Sequence, residues 1–184
     1  MDSSEQPPTT SPTAEFDMSP FTAAPLMIDM QMRFEGKTPA EVFEIMGDPA
    51  RITDWYLLAK DVHMRAADSE DLTDFEVEFM MFGRVKEDIL QWDLPSRYVY
   101  RAYGEQFPIK DYVALIEIQT VGNNRGIMIW RQFFSEIDGL HNQRVLPVIL
   151  PPLNRASLER LAPLIGGTEI IISDAMSPRS PAKC

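Results

Sequence analysis

Cysteine is almost absent from this chain: the single one, Cys184, is the last residue. An intrachain disulfide is therefore excluded, which suits a reducing compartment. Histidine is nearly as scarce, with His63 and His141 the only two. No set of His, Cys or carboxylates shows metal-ligand spacing, so neither a metal site nor a cofactor is expected. Basic clusters are missing too. With 17 Lys and Arg against 28 Asp and Glu the net charge is −11. Nucleic-acid backbones and anionic membrane surfaces attract clustered Lys and Arg, so neither is an expected partner, and the acidity reads as solubility. No apolar run approaches the ~20 residues that span a bilayer. The stretch Met1–Pro25 is rich in Ser, Thr and Pro and lacks the basic and apolar regions of a secretory signal, so a cytoplasmic location is expected. Glycine-rich phosphate loops and nucleophile-elbow serines are also absent, which sets aside nucleotide and acyl-enzyme chemistry.

What remains is a chain of ordinary globular composition, 45% apolar and 24% charged, long enough at 184 residues for one domain with a real core. Met1–Ala24 is expected to lack fixed structure, the folded domain to run from Pro25 to Gly167, and Thr168–Cys184 to form a tail whose Ile170-Ile171-Ile172 run docks on the domain. In Met27–Phe34 the residues Ile28, Met30, Met32 and Phe34 alternate with Asp29, Gln31 and Arg33, the period of a strand with one buried face. Thr38-Pro-Ala-Glu41 then reads as a capping box, with Val42, Phe43, Ile45 and Met46 as the apolar stripe of a short helix that Gly47 ends. A second short helix or turn is expected over Asp48–Leu58. Strands follow at Asp61–Ala67, with Val62, Met64 and Ala66 inward, then at Phe75–Phe82, Arg84–Trp92, Arg97–Tyr103, Lys110–Val121 and Ile127–Ile137. Hairpins at Asp68–Asp74, Gly83 and Gly122–Gly126 make a largely antiparallel sheet of about seven strands. Pro147, Pro151 and Pro152 rule out one unbroken helix after Leu140, so Pro152 is expected to open a final helix that ends at Gly166-Gly167.

This element order is that of a helix-grip α+β fold. The segments Thr38-Pro-Ala-Glu-Val-Phe43, Gly47-Asp-Pro49, Asp54-Trp55, Trp92-Asp-Leu-Pro95, Arg97-Tyr98 and Gly126…Trp130-Arg131 resemble the polyketide cyclase/dehydrase branch of the SRPBCC, or START-like, superfamily. The resemblance covers Leu26–Gly167. It implies a sheet wrapped around its C-terminal helix, with an internal cavity that holds a hydrophobic small molecule, and an aromatic near the cavity entrance at Trp55.

Several residues fall on inner faces by parity. Glu87 shares a strand face with Val85, Ile89 and Gln91, and burying that face costs one charge where the other costs two. A carboxyl in an apolar cavity has its charged form disfavoured and suits acid–base work. Tyr98 and Tyr100 share a face and can present hydroxyls to a ligand. Phe79 and Met81, then Trp130 with Gln132 and Phe134, continue the inner surface, and Trp55 with Tyr56 stands at the helix–strand junction. Two functions fit. The first is a binding module for a lipid, polyketide or aromatic metabolite, whose eleven methionines give adaptable walls. The second is a cyclase or dehydrase in which Glu87 moves the proton and Tyr100 or Arg131 supports an enolate. Arg131 is the weakest of these, since parity sets it opposite Trp130. The expected assembly is a monomer or homodimer.

Overall fold

The computed structural model describes residues 15–64 and 75–175. The expected hairpin loop at 68–74, the strand end at 65–67 and the two extreme termini lie outside them. Strand β1 (Leu26–Glu35) opens the fold, and its expected inner row of Ile28, Met30, Met32 and Phe34 is buried. Helix α1 (Pro39–Met46) carries the predicted capping box: Thr38 accepts from the Glu41 amide while the Glu41 carboxylate accepts from Thr38 N–H at 2.7 Å. Asp48 then caps a 3₁₀ turn at Pro49–Arg51, which runs into α2 (Ile52–Trp55).

Eight strands form one antiparallel sheet: β10 (Gly167–Asp174), β1, β8 (Arg125–Phe133), β7 (Val113–Gly122), β5 (Arg97–Tyr103), β4 (Gly83–Asp93), β3 (Phe75–Phe79) and β2 (Ala59–Met64), in that order. Two-residue strands β6 (Ile109–Lys110) and β9 (Glu136–Ile137) pair separately. The segment read as a tail thus contributes an edge strand: Ile170, Ile171 and Ile172 pair with Met32, Gln31 and Met30. At the other edge Met64, expected inside, is exposed.

Helix α3 spans Leu140–Ile165 without a break, contrary to the expectation that its prolines would divide it. Each proline removes one amide donor and costs the helix several kcal/mol in isolation. Packing outweighs that cost here. Leu146, Leu150, Leu158, Leu161 and Ile165 are buried against the sheet, while Pro152 and Pro163 face solvent. Ser157 Oγ accepts from Leu57 N–H at 3.0 Å, and Arg160 donates to the Asp54 carbonyl at 3.2 Å, so α3 is tied to the end of α2. No helix among the described residues is long and apolar enough to cross a membrane.

Residues 15–24, expected to lack structure, lie on the outer face of the sheet. Met18 is buried with Val99, Val113, Leu115 and Phe133, and Phe16 and Phe21 pack against the same cluster. Arg97 sits 3.8 Å from the Phe16 ring centroid, and Glu15 pairs with Arg131 at 2.9 Å.

The turn from α3 into β10 is sterically exacting. Gly166 has φ +72°, its carbonyl accepts from Glu35 N–H at 2.9 Å, and a Cβ there would lie 2.1 Å from the Glu35 carbonyl oxygen. Gly166→Ala is expected to cost about 2 kcal/mol or more, lowering Tm by roughly 4–8 °C. A thermal melt with Tm unchanged would mean that this turn relaxes freely.

Candidate functional site

The register across the sheet sets out the inner surface in rows. Tyr98, Ile116, Trp130 and Met30 stand opposite one another on β5, β7, β8 and β1, and beside them run Tyr100, Ala114, Gln132 and Ile28. Phe75, Glu87 and Ala102 form a third row on β3, β4 and β5. A bulge at Leu90 interrupts β4, so that Ile89 faces Tyr100 but Gln91 faces Val99. One extra residue reverses the parity of everything after it. Gln91, expected inward with Glu87, therefore goes to the outer side. Trp92 moves to the inner side instead, with its ring 5.2 Å from Tyr98 and 6.1 Å from Phe43.

Between these rows, α2 and α3 lies a cavity of about 60 Å³. A water needs ~10–15 Å³ on this scale, so the space holds a few waters, and a larger ligand requires the walls to part. Of the residues expected at the site, Glu87, Tyr98, Tyr100, Trp55, Tyr56, Phe79 and Trp130 all line it. Two do not. Phe134 is buried and stacks on the lining residue Tyr112 at 6.4 Å. Met81 lies outside the lining and is 45% exposed, because β3 ends at Phe79 and the chain turns before the alternation reaches it. Arg131 is on the outer face with Glu15 and Asp29 and cannot reach a ligand in the cavity.

Other lining residues were not singled out from sequence. Tyr112 was legible by alternation with Ala114, Ile116 and Ile118, all buried. Phe82 and Phe107 sit in loops, where no period marks them, and meet edge to face at 5.7 Å. Ala102, Phe107, Ile109 and Tyr112 also border a wider groove of about 1030 Å³ beside residues 21–25, so they form the partition between groove and cavity.

The walls are largely aromatic. Trp55, Tyr56 and Trp130 contact one another at centroid distances of 5.6–5.7 Å, and Tyr98, Tyr100 and Tyr112 continue in a chain at 5.6 and 6.2 Å. Tyr98 donates its hydroxyl to the Met46 carbonyl at 3.1 Å, and Tyr56 donates to Asn154 Oδ1 at 3.5 Å. Glu87 is only 6% exposed, and among the described residues no cation stands beside it. Burial alone pushes its pKa from 4.5 up to about 8. Burial raises Tyr98 and Tyr100 well above the ordinary phenol value, reinforced by Glu87 at Tyr98 and by Tyr112 and then Glu87 at Tyr100. At neutral pH the cavity therefore holds a protonated carboxylic acid among neutral hydroxyls.

Family and structural comparisons agree on the architecture. Residues 33–166 match the model of a family described as polyketide cyclase/dehydrase and lipid transport. No protein among the curated sequences matches. Three solved structures share the fold at low identity. The hypothetical protein jhp0584 from Helicobacter pylori is 16% identical with a TM-score of 0.65, over 86% of this chain and 99% of that one. A START superfamily protein from Mycobacterium smegmatis is 10% identical with a TM-score of 0.57, over 77% and 95%. The Zhui aromatase/cyclase from Streptomyces sp. R1128 is 11% identical with a TM-score of 0.57, over 74% and 92%.

The raised pKa of Glu87 fixes a sign for stability. In the unfolded chain the carboxyl ionises near 4.5, whereas in the fold it holds its proton to about 8. Across that window the folded state binds the extra proton, so Glu87 makes stability fall as pH rises, by up to about 1.4 kcal/mol per pH unit. Glu87→Gln removes this term. Urea denaturation at the two ends of the window should show the variant gaining on the wild type at the alkaline end. A wild-type-to-variant difference independent of pH would mean that Glu87 is ionised in the fold.

Proposed function

The chain belongs to the polyketide cyclase/dehydrase and lipid-transport family, and on that footing we propose that it binds an uncharged hydrophobic small molecule in the cavity between sheet and α3. The observation that carries this reading is the Glu87 carboxyl buried among aromatic walls, with no cation near it among the described residues. An isolated buried carboxyl is costly to keep. It serves the packing of the fold poorly, whereas a protonated acid in an apolar cavity orients a ligand by one directed hydrogen bond. Native mass spectrometry of the purified chain, followed by mass analysis of what denaturation releases, is expected to show a stoichiometric hydrophobic molecule. If it shows none, and no hydrophobic probe added afterwards raises Tm, the binding reading fails.

A specific observation also favours a catalytic use of the same cavity. A carboxyl of pKa about 8 is poised near neutral pH, where a general acid or base works best. As carboxylate it would take a proton from the carbon between two ketone carbonyls. The Tyr100 and Tyr112 hydroxyls, both in the lining, would donate to the resulting enolate oxygen. Ring closure onto a second carbonyl, or loss of water, would follow from that enolate. With a poly-β-ketone probe, turnover should rise with pH to a plateau above about 8. Glu87→Gln should abolish turnover while affinity changes little. Undiminished turnover in the variant excludes this mechanism and leaves binding as the function.

A further inference from the structure

Hydrogen-bonding capacity around the cavity is unevenly used. The Tyr98 and Tyr56 hydroxyls have acceptors in Met46 and Asn154. The indole N–H groups of Trp55 and Trp130 have none, although these residues are 2% and 3% exposed and both line the cavity. Buried N–H groups in folded proteins are paired in the great majority of cases. The other buried polar atoms without a hydrogen-bond partner outside this region, on Asp29, His63, Glu117 and Arg131, belong to residues in ion pairs, whereas the two indoles are neutral donors that face the cavity.

Their mutual geometry does not satisfy them. The two rings meet at 5.6 Å with an interplanar angle of 87°. An edge-to-face pair directs at most one N–H at the partner's π face, and that is a weak bond. At least one indole donor stays free. Asn154 Nδ2, on α3 beside Tyr56 but outside the lining, is a further buried donor with no acceptor. An indole nitrogen and an amide NH₂ only donate, so the complementary ligand group must be an acceptor. An anion is disfavoured: among the described residues no cation lines the cavity to offset the cost of burying its charge. A neutral oxygen fits.

We propose that Trp55 and Trp130 are specificity-determining residues that hydrogen-bond a neutral oxygen acceptor, so that the cavity prefers a ring-bearing ketone or ester over a hydrocarbon of the same shape. The inference rests on the binding reading above and adds the chemical class of ligand. It also assigns the two indoles a role beyond filling space. An apolar cavity without usable donors prefers the hydrocarbon, because the ketone gives up its hydration without compensation.

Acetophenone and ethylbenzene differ chiefly in the carbonyl and make the test. Each is titrated into the full ¹⁵N-labelled chain, and the indole N–H resonances are followed, with Trp92 as the indole outside the lining and Trp55→Phe and Trp130→Phe supplying the assignments. Acetophenone is expected to bind at least tenfold more tightly, with the Trp55 or Trp130 indole proton moving downfield and Trp92 staying in place. In the corresponding Phe variant the preference should shrink severalfold while ethylbenzene affinity is kept or improved. Equal affinities, or a preference for ethylbenzene, overturn the proposal and leave the binding reading standing. If neither compound perturbs any resonance of the cavity lining, the proposal falls, and the native mass spectrum decides the binding reading separately. Should either variant fail to fold, the wild-type ratio still decides.

Discussion

The structure depends on one coverage problem. The sheet's inner face is apolar from Ile28 to Phe34 on β1, and again from Met128 to Trp130 on β8, and the long helix α3, together with α1 and α2, shields it from water. Helix α3 must therefore stay whole despite Pro147, Pro151, Pro152 and Pro163. Its buried residues recur at spacings of three and four, so one stripe faces the sheet along the whole length. Breaking the helix at Pro151 would lift the Leu146 turn away and expose the cavity floor at Leu150. The Ser157–Leu57 and Arg160–Asp54 bonds then fix α2 to α3, and with it the two aromatics, Trp55 and Tyr56, at the junction.

Within that shell the cavity runs against the stability of the fold. Glu87 and the two indole donors in its lining, with Asn154 Nδ2 behind Tyr56, are all groups that a purely structural core would pair or replace. Such concentrations of unpaired polarity gather at functional sites, where the cost is carried by packing elsewhere. The same low polarity that keeps Glu87 protonated strengthens any hydrogen bond it makes. Affinity and acid–base chemistry thus draw on one physical source, which is why a single cavity supports both readings.

Much of this was legible where one local rule had no competitor. The β1 alternation, the Thr38–Glu41 box and the Asn123-Asn124 hairpin depend on neighbours in sequence, and all three stand as read. The readings that failed depend on distant partners. Proline propensity predicted a divided α3, but tertiary packing decided otherwise. Alternation along β4 placed Glu87 correctly and then misplaced Gln91, because a bulge leaves no trace in a period-2 pattern. Met81 followed Phe79 in parity but not in structure, since the hairpin closes before it. The Ile170–Ile172 run became an edge strand only because Gly166 and Gly167 allow the chain to reverse onto β1.

The outer face completes the account of how the site is held. On β5, Val99 lies between Tyr98 and Tyr100; on β7, Leu115 lies between Ala114 and Ile116; on β8, Phe133 follows Gln132. These strands are apolar on both faces, a pattern expected of strands covered on both sides. Met18, Phe16 and Phe21 provide the second cover, and the Arg97–Phe16 and Arg131–Glu15 contacts fasten its edge. The covered strands are the ones that carry Tyr98, Tyr100, Trp130 and Gln132 into the cavity. Pinning β5, β7 and β8 from behind fixes the backbone under those side chains. By contrast, the partition residue Phe107 and its neighbour Phe82 sit in loops, where they meet edge to face. The cavity is thus walled by side chains of two kinds, some on strands covered from behind and some on loops.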